Sequence, residues 1–303
     1  MNVLFIYNPE SGKGRINKNI ELIKKEFIDH GYLPTIIKTN KPGDAKDLSI
    51  EYGKGYDLLI CAGGDGTLSE VVNGLMTLEK RPTVGYIPTG TTNDLAHMLG
   101  LPRKIKKALR IILKDGVKEK MDISEINNTY FTYAAATGKF AKASYDVKKI
   151  DKVRFGHLAY VARGIKDAFV DYKMPMKITY DGGVLEDTFG LILVLNGPRV
   201  GGVNLFLIKK SKLNDGVIEA KVFRRRKGRT LFTILSFFGF GGFSNKYVKT
   251  LKSPYYEIQA PASVEWNTDG EKTHQGTIKV KVHQEALEMI VSKRASKQLF
   301  IKK

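Results

Sequence analysis

Three loops in the first hundred residues combine glycine, hydroxyl and carboxylate groups at positions where they could hold a phosphate. Gly63-Gly64-Asp65-Gly66-Thr67 follows the apolar run LLICA (58–62) and precedes a helical pattern that begins near Leu68. Glycine permits positive φ and removes the Cβ that would keep a phosphate off the backbone. A helix N-terminus adds unsatisfied N–H groups and partial positive charge. Asp65 alone repels phosphate, and a magnesium ion resolves that conflict because it takes one or two carboxylates together with phosphate oxygens. The same stretch also reads as a tight turn in which Asp65 caps the helix. Pro88-Thr89-Gly90-Thr91-Thr92-Asn93-Asp94 repeats the placement after VGYIP (84–88) and opens a helix at Leu95. Its threonines and asparagine suit a nucleotide, although they are also ordinary capping residues. A third loop, Asn8-Pro9-Glu10-Ser11-Gly12-Lys13-Gly14, offers a lysine for phosphate. None of the three matches the P-loop or the GxGxxG dinucleotide fingerprint.

The elements that must position these loops alternate in type. VLFIY (3–7), TIIKT (35–39), LLICA and VGYIP are compact apolar runs. Between them lie helical stripes: Ile16, Ile20, Ile23 and Phe27; a polar helix from Asp44 to Tyr52; and Leu68, Val71, Val72 and Leu75. Helices around Leu95 to Leu99 and Ile105 to Leu113 complete the set. This alternation predicts a doubly wound parallel sheet covered on both faces, with ligands beyond the carboxyl ends of its strands. The pattern changes near Met121. Hairpin cues such as Asp181-Gly182-Gly183, and alternation at Ile218, Ala220, Val222 and at Ile278, Val280, Val282, predict an antiparallel β domain with one wet face. A helical insert at 156–169 interrupts it. The expected fold class is α/β plus β, with domains at 1–122 (the tail 285–303 returning to it) and 123–284.

The chain has 303 residues, enough for two such domains, and a net charge of +19 that favours polyanionic partners such as nucleotide, nucleic acid or an anionic lipid surface. The basic residues cluster in RKIKKALR (103–110), KKSK (209–212) and RRRKGR (224–229), runs that equally suit solvated faces. One cysteine, Cys61, inside an apolar run, excludes a disulfide framework and suits a reducing compartment. VLFIY without a basic leader reads as a first strand rather than a secretory signal. No run approaches the roughly 20 apolar residues of a spanning helix; LFTILSFFGFGGF (231–243) is too short and carries three glycines.

NPESGKGR, GGDGTLSEVVNGL and PTGTTNDLAHMLGLP, in this order, resemble the catalytic domain of the diacylglycerol kinase family, in particular its soluble bacterial lipid-kinase branch. KLNDGVIEA and NTDGE carry the resemblance over nearly the whole chain. It implies a C-terminal β-sandwich, an active site in the cleft between the domains, and transfer of the γ-phosphoryl of ATP to a lipid hydroxyl. Diacylglycerol is the first expected acceptor; phosphatidylglycerol, a sphingoid base or an undecaprenyl-type alcohol are alternatives. Matching motifs place nucleotide on Asn8, Pro9, Glu10, Ser11, Gly12, Lys13, Thr39, Gly63, Gly64, Asp65, Gly66, Thr67, Leu68, Ser69 and Thr91. They place a catalytic magnesium, through waters, on Asp65, Asp94 and Asp122, and a structural magnesium on the Asp215 carboxylate and the backbone carbonyls of Lys212 and Val217. They make Glu271 the general base. Read without the resemblance, Asn214-Asp215-Gly216 and Asp269-Gly270 are turns. Where relatives often carry Arg the chain has His97, which otherwise reads as a surface helix residue, and Arg163 replaces a frequent Lys.

Two other functions fit parts of the pattern. NAD kinase shares GGDGT but leaves NPESGKGR and GTTND unexplained, and a basic nucleotide- or nucleic-acid-binding protein fits the charge but shows no recognised nucleic-acid motif. A lipid kinase must also meet a membrane from the cytoplasmic side. RRRKGR beside LFTILSFFGFGGF suggests a peripheral docking edge for anionic lipid, against the competing reading that Leu231, Leu235 and Phe238 pack a core helix. An exposed β edge would allow a homodimer.

Overall fold

The computed structural model describes residues 1–141, 170–205, 211–242 and 246–302. The insert expected at 156–169, with Arg163, lies outside the described residues. The chain forms two units. One comprises Met1–Ile123, Lys212–Asp215 and Gln284–Lys303; the other comprises Ser124–Ser211 and Gly216–His283.

In the first unit the apolar runs become strands β1 (Val3–Tyr7), β2 (Thr35–Lys38), β3 (Leu58–Gly63) and β4 (Thr83–Pro88), all parallel. β1, β3 and β4 are buried at every position, as strands covered on both faces must be, whereas β2 is a half-exposed edge. The helices are α1 (Arg15–Lys18), α2 (Ile20–Asp29), α3 (Asp44–Tyr52), α4 (Asp65–Leu75), α5 (Asp94–Met98) and α6 (Ile105–Arg110). The single stripe expected from Ile16 to Phe27 is broken at Asn19, whose Nδ2 bonds back to the Arg15 carbonyl at 2.8 Å and so competes with the helical ladder. α6 ends at Arg110 and a π turn, Ile111–Asp115, follows. Val3, Phe5, Ile23, Phe27, Ile60, Ile87 and Leu109 form the core against one face of the sheet.

Strand order is β2–β1–β3–β4, with Met289 pairing in parallel beside Val84 at the far side. From β1 the chain winds to β2 on one side and then crosses back to β3 on the other, so the order reverses between β1 and β3, and ligands bind at such a reversal. Register puts Tyr7 opposite Ala62 and Gly63 opposite Pro88, so the loops after β1, β3 and β4 leave the sheet side by side.

The second unit is antiparallel. β5 (Val117–Ile126) enters it and pairs with β6 (Thr129–Phe131). There follow β7 (Ala134–Gly138), β8 (Met174–Tyr180), β9 (Gly183–Leu195), the short pair β10 (Arg199–Val200) and β11 (Val203–Asn204), and β12 (Ile218–Arg224). Helix α7 (Thr230–Gly239) precedes β13 (Val248–Ser253), β14 (Tyr255–Gln259), β15 (Glu265–Thr268), β16 (Glu271–Gln275) and β17 (Ile278–Val291). The order runs β16–β15–β7–β9–β8–β14–β17, with β12 on β9 and β13 on β12. Trp266, Tyr256, Phe189, Phe131 and Ile258 centre its core. The last helix, α8 (Lys293–Leu299), belongs to the first unit and is capped by Ser292 Oγ, which accepts from the Ala295 amide at 3.1 Å.

The wet face expected from alternation exists at the start of β17, where Lys279 and Lys281 are exposed. On β12 it does not. Glu219 and Lys221 are buried, the Glu219 carboxylate holding the ammonium of Lys221 at 3.0 Å and that of Lys252 at 2.6 Å. Burial lowers the Lys221 pKa, against the pull of Glu219. α7 packs over this strand, with the Phe237 ring edge-on to Phe223 at 5.0 Å, so charge on that face had to be paired rather than solvated.

Candidate active site

The three loops are stitched to one another. Extra ladder bonds carry each strand one step further: the Asn8 amide donates to Ala62 O at 2.9 Å, and the Thr89 amide donates to Gly63 O at 2.8 Å. Thr89 Oγ1 donates to Ser11 Oγ at 2.8 Å, joining the loop after β4 to the loop after β1. The Asn8 side-chain amide lies 3.4 Å from Thr67 Oγ1. Asp65 accepts the Asn93 amide at 2.7 Å, and Asn93, in the left-handed region that asparagine tolerates, sends its own side-chain amide to Gly90 O at 2.7 Å. The Tyr86 hydroxyl sits 3.2 Å from both Gly63 O and Asn93 Oδ1.

α4 therefore begins three residues earlier than its apolar stripe suggests, and Gly64 rather than Asp65 occupies its N-cap without any side-chain cap. Asp65 is not a cap; it stands in the first turn and reaches across to the β4 loop. Asp65, Gly66 and Thr67 form the first turn of the helix, ahead of the ladder that the Leu68 amide opens by donating to Gly64 O at 3.2 Å, and the Leu68 side chain is buried. Ser69 is half-buried, Thr91 and Lys13 are exposed, and Glu10 is exposed, its amide bonded to Asn8 Oδ1 at 2.9 Å. Thr39 is buried, its amide continuing the sheet to Tyr7 O at 2.9 Å. Arg103, read in the sequence only as part of a basic run, donates to Gly90 O at 2.9 Å and so borders the loop after β4. Cys61 is buried, which pushes its thiol pKa up and leaves it a core residue.

The glycines divide into two kinds. Gly12 has φ +61°, and a Cβ there would sit 2.3 Å from the Thr89 carbonyl oxygen, so the fold itself requires glycine. Gly64 has an ordinary φ of −89°, and its Cβ would meet Gly90 Cα at 3.5 Å and Ser11 Oγ at 3.8 Å, normal contacts. Gly12→Ala is expected to cost about 2–4 kcal/mol of stability. Gly64→Ala is expected to leave the melting temperature unchanged; if this loop takes the phosphate that the sequence leads one to expect, the methyl would stand in its approach and weaken ATP binding about tenfold or more. Thermal melts of both variants with an ATP titration check this.

Asp94 and Asp122 are fully buried. Asp122 accepts the Glu285 amide at 2.7 Å and its own amide donates to Leu213 O at 2.7 Å, so it ties two returning segments to β5. Among the described residues no three His, Cys, Asp or Glu side chains are arranged to hold a metal by themselves. A hard, all-oxygen donor set of scattered carboxylates and hydroxyls fits magnesium, which keeps several waters and shares phosphate oxygens, better than it fits a metal caged by protein alone. Asn214 clasps the C-terminus: its side-chain amide donates to Ile301 O at 3.1 Å and its Oδ1 accepts the Ile301 amide at 2.7 Å. Lys212 Nζ reaches Gln298 O at 2.8 Å. Asp215 and Val217 are half-buried on either side of Gly216, which has φ +73°. The described residues before this turn, Ser211–Leu213, form no strand, so it is a junction leading into β12 rather than a hairpin.

Asp269-Gly270 is the turn its residue types announce. β15 and β16 pair antiparallel with Thr268 opposite Glu271, and both turn residues have positive φ, +49° and +93°, as a two-residue hairpin of the I′ type needs. The sequence does not announce what Asp269 does beyond turning. Its buried carboxylate accepts Thr132 N at 2.7 Å, Thr132 Oγ1 at 2.9 Å, Tyr133 N at 3.1 Å and Ala134 N at 3.2 Å. The hairpin that carries Glu271, an exposed residue at the start of β16, is thereby pinned to the β6–β7 connection. Burial pushes the Asp269 carboxyl up to about 6, against those four hydrogen bonds. A folded value above the unfolded one, about 3.9, means its stabilising contribution is full below the unfolded value and is lost as pH rises through about 6. The stability advantage of the native chain over Asp269→Asn is therefore expected to shrink by about 2–3 kcal/mol from pH 4 to pH 8, measured by paired denaturant melts.

Comparison with known proteins bears on these two units directly. Residues 2–126 match the diacylglycerol kinase catalytic domain, and residues 134–291 match the YegS C-terminal NAD kinase beta sandwich-like domain. The chain is 34% identical over 269 residues to a diacylglycerol kinase of Bacillus subtilis (strain 168), covering 88% of each protein. It is 34% identical over 272 residues to a diacylglycerol kinase of Staphylococcus aureus (strain MRSA252), covering 88% of this chain and 84% of that protein. A crystal structure of a diacylglycerol kinase from Bacillus anthracis str. Sterne superposes with a TM-score of 0.82 at 30% identity, over 97% of this chain and 98% of the other. With a parallel-sheet first domain, a β-sandwich second domain and this likeness along both, the chain belongs to the diacylglycerol kinase catalytic-domain family.

Proposed function

We propose that this chain is an ATP-dependent lipid kinase that moves the γ-phosphoryl group of ATP to the hydroxyl of diacylglycerol, yielding phosphatidic acid and ADP. The observation that carries the reading is the mutual stitching of three loops on one rim of a parallel sheet, at the point where strand order reverses. The positive N-terminal end of α4 and the Asn8–Lys13 loop receive the triphosphate. Lys13 and Arg103 offset its charge. Asp65, Asp94 and Asp122 would hold the catalytic magnesium through waters, and Asp215 with the carbonyls of Lys212 and Val217 would hold a second, structural ion. Bound magnesium supplies charge neutralisation on the transferring group.

Glu271 accepts the proton of the acceptor hydroxyl. The alcohol oxygen then bonds to the γ-phosphorus while the bond to the β,γ-bridging oxygen breaks, its electron pair leaving with ADP. The proposal places the reaction at the cytoplasmic face of a membrane, because the acceptor resides in a bilayer and the donor, ATP, is supplied from the cytoplasm. Among the described residues no helix is long and apolar enough to cross one.

Labelled ATP offered with diacylglycerol, phosphatidylglycerol, sphingosine and NAD tests the proposal. Label in phosphatidic acid, absent with Asp65→Ala, is the expected result; label in NAD, or in no acceptor, contradicts it.

A further inference from the structure

α7 inverts the usual arrangement of a surface helix. It buries Thr230, Thr233, Ile234 and Phe237 at the spacing of one helical face. Its opposite face would ordinarily be polar. Here it presents Phe232 at 74% exposure, Leu235 at 57% and, just past the helix, Phe240 at 67%. Leu235 is thus not a core residue, and Leu231 and Phe238 are half-buried. No charged residue occurs from Thr230 to Gly242.

Cations stand at the margins. Arg224 and Arg225 are spent within the fold, on Asp187 at 2.8 Å and on Asp171. Arg226 stacks on the Tyr247 ring at 3.7 Å. Lys227 and Arg229 are exposed and make no salt bridge among the described residues, and the exposed Lys246 lies over the same Tyr247 ring as Arg226, 5.1 Å from its centre. An apolar face with cations gathered beside the start of its helix is complementary to a surface that is apolar beneath and anionic above. That combination describes a bilayer carrying acidic headgroups. At about 1.5 Å per residue the ten-residue helix is far too short to span, so it can only lie at the headgroup level.

We infer that Phe232, Leu235 and Phe240, with Lys227, Arg229 and Lys246 beside the start of the helix, form the surface by which this chain docks on anionic membranes. The inference deepens the lipid-kinase reading and rests on it for the source of the membrane. None of these side chains belongs to the nucleotide loops or to the hairpin of Glu271.

The test is flotation of the full chain with vesicles of phosphatidylglycerol and phosphatidylcholine, against phosphatidylcholine alone. Phe232→Ser/Leu235→Ser and Lys227→Glu/Arg229→Glu are compared with the native chain. Melting curves confirm folding, and phosphorylation of a water-soluble short-chain diacylglycerol is measured without vesicles. The native chain is expected to bind the anionic vesicles in a salt-sensitive way. Each double variant is expected to lose about tenfold or more of that partition while short-chain turnover stays the same. Native-level binding by either variant overturns the inference, as does equal binding of the native chain to neutral vesicles or no binding at all. So does a shift from dimer to monomer in sedimentation with vesicle binding intact, which would make this face a contact between copies. Failure of the lipid-kinase reading registers separately, as absent short-chain turnover by the native chain.

Discussion

Glu271→Gln is expected to lower turnover by about 10²–10⁴-fold, the range that a positioned general base contributes, with the melting temperature and ATP affinity unchanged. The side chain is exposed at the first position of β16, so the fold gains nothing measurable from its charge. Gln keeps its shape and removes only its capacity to take a proton. The hairpin beneath is fixed by other groups, chiefly the Asp269 carboxylate on Thr132, Tyr133 and Ala134. A loss of turnover accompanied by a lower melting temperature would point to disruption of that hairpin instead. A near-normal rate in folded protein would remove Glu271 from the chemistry.

Asp65 presents a harder separation, because its carboxylate also holds the Asn93 amide at 2.7 Å and with it the loop after β4. Asp65→Ala and Asp65→Asn distinguish the two roles. Asn keeps an acceptor oxygen for Asn93 and loses the negative charge that the proposed magnesium site would require. Both variants are expected to lose about 10²–10³-fold in turnover, the magnitude typical of removing one electrostatic contributor to the transition state. Only Asp65→Ala is expected to lose stability as well, by about 1–3 kcal/mol for the amide left without its partner. Restored activity in Asp65→Asn would make the carboxylate a structural clamp.

Much of the first unit was legible because its signals are local. Continuous apolar runs bounded by polar turns mark β1, β3 and β4 to within a residue, and the polar helix Asp44–Tyr52 falls where expected. Strand order was not legible, since pairing depends on long-range packing that no window contains. Nor was the distinction between Gly12 and Gly64. Composition shows two glycines in two loops, and only the neighbouring backbone shows that one is required by Thr89 and the other is not. Alternation along β12 misled for the same reason: the pattern predicts a solvated face, and α7 covers it. Asp269 reads as a turn residue and is one, but its four donors come from residues well over a hundred positions away. The outward apolar face of α7 was ambiguous because a helix apolar all round reads alike whether its outer side meets core or membrane.

The central claim is that the rim formed by the loops after β1, β3 and β4 grips a triphosphate. Calorimetric titration of ATP with magnesium into the native chain and into Gly64→Ala tests it most directly. The account predicts one saturable site in the native chain, weakened about tenfold or more by the added methyl with melting temperature retained. Absence of saturable heat in the folded native chain, or equal affinity in the two proteins, would contradict it.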